Sequence, residues 1–280
     1  MKVCIGSKVS LCLLSAGLIV GAAPSLLAQQ DAGQNQGPSK YLFLTNVELK
    51  PEQGYAFQKL ESDEIQALRA ANAPSHYLGM GSITGPSHVI FLHGFDAFAD
   101  LQKDHETTMA MTKLMDTLRA DGASEAPLIT DRHTSIYEYK EDLSEHVNLD
   151  LSKMRFMRVT LFHVRSGHDQ DWEHLVKLYM KAYDSTPEAH WAMFEKMYGV
   201  GSDNTYILVT PMAALSEVDA MRANNKTFEQ SVGADQLQIL RNGLSATVES
   251  SETDLFALSP QLSYAPDAWV TASPDFWGKK

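Results

Sequence analysis

The chain has 280 residues and a mass of 31.0 kDa, and its 44% hydrophobic and 21% charged residues exclude both a disulfide-stapled mini-protein and a disordered chain. Its formal net charge of −12 disfavours nucleic acid and anionic membrane surfaces as partners. Both cysteines, Cys4 and Cys12, lie near the start of the chain. The remainder therefore has no disulfide, no cysteine nucleophile and no thiolate metal site.

Residues 1–28 are typical of a secretory signal peptide. Lys2 and Lys8 precede an apolar run over 9–20, and small residues lead to the predicted cleavage point. The run is too short to cross a bilayer, and no later stretch reaches the roughly 18 apolar residues that a membrane span needs. The residue three positions before the cleavage point is larger than the pattern prefers, so nearby cleavage and an uncleaved anchor both stay open. We expect an exported protein, periplasmic or extracellular, with residues 29–40 as a flexible tether.

The sequence after the tether repeats with a period of about 115–120 residues, which is long enough for a whole fold. The predicted units cover 41–150 and 151–264, and an extended tail over 265–280 follows. In the tail, Trp269 and Trp277 are expected to dock into grooves of the body.

Each unit is predicted to contain a strand, a helix, two paired strands, a helix and a strand. The elements of the first unit, in order, are a strand at 41–49, a helix ending at 72–74, strands at 77–83 and 89–93, a helix from Asp96 through Leu118, and a strand at 135–144. Those of the second are a strand at 156–164, a helix from Asp169 to Ala182, strands at 190–198 and 206–210, a helix containing Leu215, Val218 and Met221, and a strand at 254–263. The last strands of the two units share a Leu-Ser pair.

This order is the ferredoxin-like βαββαβ pattern, an α+β fold with an antiparallel sheet and both helices on one face. The strands are apolar on both faces: Leu42 and Leu44 alternate with Tyr41 and Phe43. A second layer must therefore cover the face away from the helices, and the sheet of the other unit is the predicted cover. The alternative is two independent domains that bury this face in an oligomer.

The element order and the repeated first strand resemble the dimeric α/β-barrel superfamily, in the single-chain tandem form of NIPSNAP-type and chlorite-dismutase-type proteins. The resemblance covers 41–264. It implies an intramolecular dimeric α/β barrel with a pocket between a sheet and the two helices of its unit. Members range from cofactor-free monooxygenases to haem proteins and isomerases, so the fold does not choose an activity.

One candidate residue lies on the predicted second helix of each unit. His105 shares a stripe with Phe98 and Leu101, where an imidazole could bind haem iron, orient a phenolic substrate or act as a base. The alternative is a structural histidine at the edge of the core. Counting 117 residues on, Arg222 takes the same place in the second unit and could clamp a carboxylate or phosphate, or reach past the helix to solvent or to an acidic neighbour.

A third candidate, Asn46, shares a strand face with Leu42 and Leu44. The resemblance implies a role for it, since cofactor-free monooxygenases of the superfamily use an inward asparagine on the first strand. Its counterpart in the second unit is Leu161, so only the first unit keeps this option. The alternative is a polar residue near the end of a strand.

The motifs of serine hydrolases, P-loop proteins and dinucleotide-binding proteins are absent, and the histidines at 163, 168 and 174 do not have a metal-binding spacing. We therefore expect no metal and no cofactor, with haem as the one cofactor left open. The predicted function is binding of a small apolar or aromatic ligand between sheet and helices. A cofactor-independent or haem-dependent monooxygenase and a structural assembly module, with possible homo-oligomers, are the alternatives.

Overall fold

The structure is a computed structural model that describes residues 37–183, 189–201 and 204–278. The predicted signal peptide and most of the tether lie outside the described residues. The strands are β1 (Tyr41–Leu49), β2 (Leu78–Ser82), β3 (His88–Phe95), β4 (Ile129–Tyr139), β5 (Phe156–Val164), β6 (Ala192–Gly199), β7 (Thr205–Met212) and β8 (Val248–Leu258). The helices are α1 (Gly54–Ala71), α2 (Phe98–Ala110), α3 (Thr112–Glu125), α4 (Asp169–Tyr183), α5 (Ser216–Val232), α6 (Ala234–Thr247), α7 (Asp267–Ala272) and α8 (Pro274–Trp277).

The eight strands form one closed antiparallel barrel in the order β1-β3-β2-β8-β5-β7-β6-β4. The first unit contributes β4-β1-β3-β2 and the second contributes β8-β5-β7-β6, each in ferredoxin-like order. The seams between units are the pairs β2–β8 and β4–β6. The predicted fold class, two tandem units in an intramolecular α/β barrel, is confirmed.

The apolar character of both strand faces follows from this closure. Inward-facing residues such as Leu44, Ile90, Ile207 and Phe256 form one buried cluster inside the barrel. The outward faces carry separate clusters beneath the helices, in which Phe57 of α1 is fully buried. Each sheet is therefore covered on one side by the other unit's sheet and on the other side by its own helices.

The repeated Leu-Ser pairs hold the two seams. Ser144 Oγ accepts a hydrogen bond from the backbone N–H of Met193 at 2.9 Å, and Ser263 Oγ accepts one from Gly79 at the same distance. Each serine thus binds a strand of the other unit. Leu143 and Leu262, which precede these serines, are buried.

The closing strands are shifted relative to the prediction, because the Leu-Ser pairs follow β4 and β8 instead of lying within them. The predicted long second helix is also divided. Met111 has a non-helical backbone (φ −81°, ψ 71°), and α2 and α3 meet there. The break lets Leu114 and Leu118 of α3 join the cluster beneath α1, while α2 stays lightly buried.

The tail after Tyr264 is helical instead of extended, since it forms the short helices α7 and α8. Trp277 is 3% exposed and belongs to the cluster inside the barrel, and its Nε1–H donates to the carbonyl of Ser152 at 2.7 Å. Arg155 lies over the Phe276 ring, 4.0 Å from its centroid. Because Ser152 and Arg155 immediately precede β5, the tail covers the barrel end at which β5 begins.

Candidate functional site

A cavity of about 210 Å³ lies inside the barrel, toward the end opposite the tail. Its lining comes from β1, β3, β4, β5, β7, β8 and the β2–β3 turn, and its inner walls are mostly apolar: Leu44, Ile90, Tyr137, Val159, Leu161, Ile207 and Phe256. Its outer end carries the polar side chains Glu48, His88, His133, Glu252 and Asp254, which we call the mouth residues. The tail covers one end of the barrel and the mouth residues surround the other.

Asn46 lines this cavity between the apolar walls and the mouth residues. Its alternation with Leu42 and Leu44 places it on the inward face of β1, whereas the predicted pocket lay on the opposite face, beneath the helices. The amide oxygen Oδ1 is buried and has no hydrogen-bond partner among the described residues. A buried, unpaired polar atom of this kind costs about 1–3 kcal/mol of stability.

The pseudo-twofold relation between the units brings unlike residues into the same cavity. Asn46 pairs with His133 on β4 and with Ile90 on β3. At the equivalent place in the second unit, Leu161 pairs with Glu252 on β8 and with Ile207 on β7. The two sides of the cavity therefore differ chemically, and the amide is present on one side only.

The β2–β3 turn forms part of the mouth and is bound to the second unit. Thr84 Oγ1 donates to Asp254 Oδ1 at 2.9 Å and accepts from the backbone N–H of Leu255 at 3.0 Å. Gly85 has φ +73°, and a Cβ at this position would lie 2.7 Å from Asp254 Oδ1. Glycine is required here both for the left-handed backbone and for the close approach to Asp254.

Tyr137 supplies a hydroxyl group to the inner wall of the cavity. Burial raises its pKa to about 12, although a hydrogen bond with Ser135 opposes part of the increase. The phenol is therefore protonated at neutral pH. It offers a neutral polar group to a bound molecule and no charge.

The other two predicted site residues do not reach this cavity. His105 is half-buried on α2, outside the barrel, and its Nδ1 is buried without a hydrogen-bond partner among the described residues. Arg222 is exposed on α5, so its predicted place on an inward stripe is wrong. The offset between the units is not constant, because the buried residues Thr108 and Phe228 align the two helices three residues further on. The structure does not bring Asn46, His105 and Arg222 together.

The space between a sheet and its helices is largely filled with side chains. In the first unit Val47, Phe57 and Phe91 occupy it, and Trp172 and Leu240 do so in the second. A second recess of about 380 Å³ runs along the start of α1 and the neighbouring strands, and Gln58, Ser82 and Gln261 are among its lining residues. The predicted pocket location therefore differs from that of the cavity containing Asn46.

The residues do not fit a haem group. His105, for which iron binding was one of the options, lines neither of these two recesses, and the cavity that holds Asn46 has the size of a one- or two-ring compound. Within the described residues, no group of three or more histidine, cysteine or acidic side chains is arranged to hold a metal ion. None of the helices in the described part of the chain is both long and apolar enough to cross a bilayer.

Sequence comparison identifies no relatives, since neither a protein-family model nor a curated protein matches the chain. Solved structures do share its fold. A proposed monooxygenase from Fusobacterium nucleatum is similar over 78% of this chain and 91% of its own, with a TM-score of 0.50 and 8% identity. An anthrone oxidase-like protein is similar over 80% of this chain and 93% of its own, with a TM-score of 0.50 and 11% identity.

A chlorite dismutase variant from Candidatus Nitrospira defluvii aligns over 83% of this chain and 95% of its own, with a TM-score of 0.43 and 8% identity. At such identities the likeness concerns the fold. The closed barrel and the first two of these structures show that the chain has the fold of a single-chain dimeric α/β barrel, the fold that the element order resembles.

The sequence indicated Asn46, although for a pocket beneath the helices, and it did not indicate most of the mouth residues. His133 and Glu252 are equivalent positions of the repeat, but the predicted closing strands began after them. The alternation of inward residues along β4 and β8, extended a few residues toward the start of each strand, would have identified both.

Proposed function

We propose that this protein binds a small, largely apolar compound with one or two rings inside the barrel cavity. The observation that carries the proposal is the buried amide oxygen of Asn46, which has no hydrogen-bond partner among the described residues, in a cavity whose inner walls are mostly apolar and which is covered at one end. A cavity of about 210 Å³ is smaller than the roughly 300–1,000 Å³ typical of drug-sized ligands, and larger than the about 150 Å³ that accommodates benzene. A ligand hydroxyl or amine could donate to the amide.

The first test is binding of 2-phenylethanol, measured by isothermal titration calorimetry and by the shift in melting temperature. Leu161→Phe places a ring in the cavity and should abolish binding, whereas Ile239→Phe, at an exposed position on α6, should leave it unchanged. If Leu161→Phe is poorly folded, Val159→Leu fills the same cavity more gently. Equal binding by the parent and a folded, cavity-filled variant would place the ligand elsewhere and contradict the proposal.

An enzyme acting on the same class of compound is the second candidate. It is supported by the cross-strand pairing of Asn46 with His133 in the cavity and by the fold shared with the anthrone oxidase-like protein. Oxygen uptake with phenols and quinols tests it. Asn46→Ala should abolish turnover while the melting temperature stays within a few degrees, and equal loss of both would assign Asn46 a structural role.

We also propose that the protein is exported, and a structural assembly module stays the alternative function. Amino-terminal sequencing of the protein recovered outside the cytoplasm would locate the cleavage point near residue 28. Light scattering tests the alternative of a structural assembly module, because a strictly monomeric chain rules that role out.

A further inference from the structure

The mouth residues surround the entrance to the cavity with three carboxylates and two imidazoles. Glu48 on β1 and both Glu252 and Asp254 on β8 supply three carboxylates from the two units. The lining contains no lysine and no arginine. Lys196 on β6 is cationic, but it does not line the cavity, and its Nζ donates to the carbonyl of Val200 at 3.1 Å.

The two histidines at the mouth each use Nδ1 in a hydrogen bond with the protein. His88 Nδ1 lies 2.7 Å from the carbonyl of Pro86, and His133 Nδ1 lies 3.1 Å from Asp131 Oδ2. A carbonyl and a carboxylate only accept hydrogen bonds, so Nδ1 must carry the proton in both rings. In the neutral imidazole this leaves Nε2 as an acceptor.

The cavity-lining side chains of β1 change from charged to apolar over a short distance. Glu48 lies at the mouth, Asn46, whose amide oxygen has no hydrogen-bond partner among the described residues, lies one step further in, and Leu44 belongs to the apolar wall. His88, which pairs with Glu48, contacts the ring of Phe256 edge-on at 5.0 Å between ring centroids. A ligand that matches this sequence has an apolar ring at one end and a group rich in hydrogen-bond donors at the other.

We propose that the ligand is a small arylalkylamine, bound as its ammonium ion, with the ring among the apolar side chains and the ammonium among the mouth residues. This inference rests on the proposed function, because it concerns the same cavity. A protonated amine supplies three donors and a positive charge to the three carboxylates and the amide oxygen. An anion of the same shape would meet acceptors and like charge.

The test compares three probes that share a phenylethyl body: 2-phenylethylamine, 2-phenylethanol and 3-phenylpropionate. Calorimetric titration of the full chain at neutral pH and low salt should show the amine binding roughly five- to tenfold more tightly than the alcohol, the size expected for a few partly solvated charge pairs. The carboxylate should bind most weakly. Raising the salt concentration to about 0.5 M should reduce the preference for the amine, because screening weakens exposed charge pairs.

Two substitutions test whether the preference for the amine over the alcohol comes from the carboxylates at the mouth. Glu48→Gln and Glu252→Gln should each lower the amine-to-alcohol affinity ratio by about two- to threefold. Glu106→Gln removes a carboxylate from the exposed side of α2 and should leave the ratio unchanged. Circular dichroism of each variant verifies its folding.

The possible results separate the two proposals. Binding of the alcohol as tight as that of the amine, or tighter binding of the carboxylate, would overturn the amine assignment and leave the cavity as a site for neutral or anionic ligands. Binding of none of the three probes would overturn both. An amine preference that Glu48→Gln and Glu252→Gln do not change would place the amine outside the mouth and also refute the assignment.

Discussion

Replacing Asn46 by leucine should stabilise the fold and remove the binding of ligands that donate a hydrogen bond. Leucine is the residue that the second unit already carries at the equivalent position, where Leu161 lines the same cavity. The substitution therefore introduces a side chain that this environment accommodates. It also removes the amide oxygen that has no hydrogen-bond partner among the described residues.

The expected gain in the free energy of unfolding is about 1–2 kcal/mol. Removing a buried, unsatisfied polar atom returns about 1–3 kcal/mol, and part of this is lost where the larger apolar side chain crowds its neighbours. For a domain of 150–250 residues, 1 kcal/mol corresponds to a shift in melting temperature of roughly 2–4 °C. Most substitutions at inward positions destabilise, so a gain would be diagnostic.

Urea unfolding gives the change in stability, and calorimetric titration with 2-phenylethanol gives the change in affinity. Asn242→Leu, at an exposed position on α6, is the matched control and should change stability by less than about 0.5 kcal/mol. A loss of 1 kcal/mol or more in Asn46→Leu would show that the amide stabilises the fold. Unchanged affinity for the alcohol would show that the amide does not contact the ligand.

Three further predictions concern stability. Arg132→Met should lower the free energy of unfolding, measured with urea, by about 3 kcal/mol, because the guanidinium lies 2.8 Å from the carboxylate of Glu125, whose side chain is 1% exposed. The control Lys153→Met removes one partner of an exposed ion pair and should lower it by less than about 1 kcal/mol. Trp277→Ala should cost about 3–5 kcal/mol through lost burial in the barrel end, and an unchanged unfolding midpoint would contradict the docking of the tail. Burial lowers the pKa of His93 in the folded protein. Below about pH 6.5 the unfolded chain therefore binds a proton that the folded chain does not, and stability should fall. Between pH 7.5 and 5.5 the urea midpoint of His93→Gln should fall less than that of the parent.

The fold was predictable because the strands are apolar on both faces and the element order occurs twice. The two apolar faces required a second layer, and the repeat indicated that the sheet of the other unit forms it. The closed barrel confirms this arrangement. Side-chain placement on the helices was less predictable. Arg222 was positioned by counting a constant offset, but insertions between the units change the phase of α5 relative to α2. Helical phase shifts by about 100° per residue, so an offset error of three residues moves a side chain to another part of the helix surface.

The break at Met111 and the helical tail depend on contacts that sequence patterns do not show. Met111 ends α2 where α3 turns to pack on α1. The tail is anchored by Trp277, which donates to Ser152 at the far side of the second unit's first strand. Asn46 was recognised because strand alternation has a period of two, which keeps its phase over the few residues of a strand.

The contacts that close the barrel are separate from the side chains that line its cavity. The strand pairs β2–β8 and β4–β6 close the barrel, and Ser144 and Ser263 accept backbone N–H groups beside them, so closure does not depend on which side chains project into the interior. The interior positions of the two halves are thereby free to diverge, as Asn46 and Leu161 have done. An asymmetric cavity with an amide on one side only could not form between two identical subunits related by symmetry.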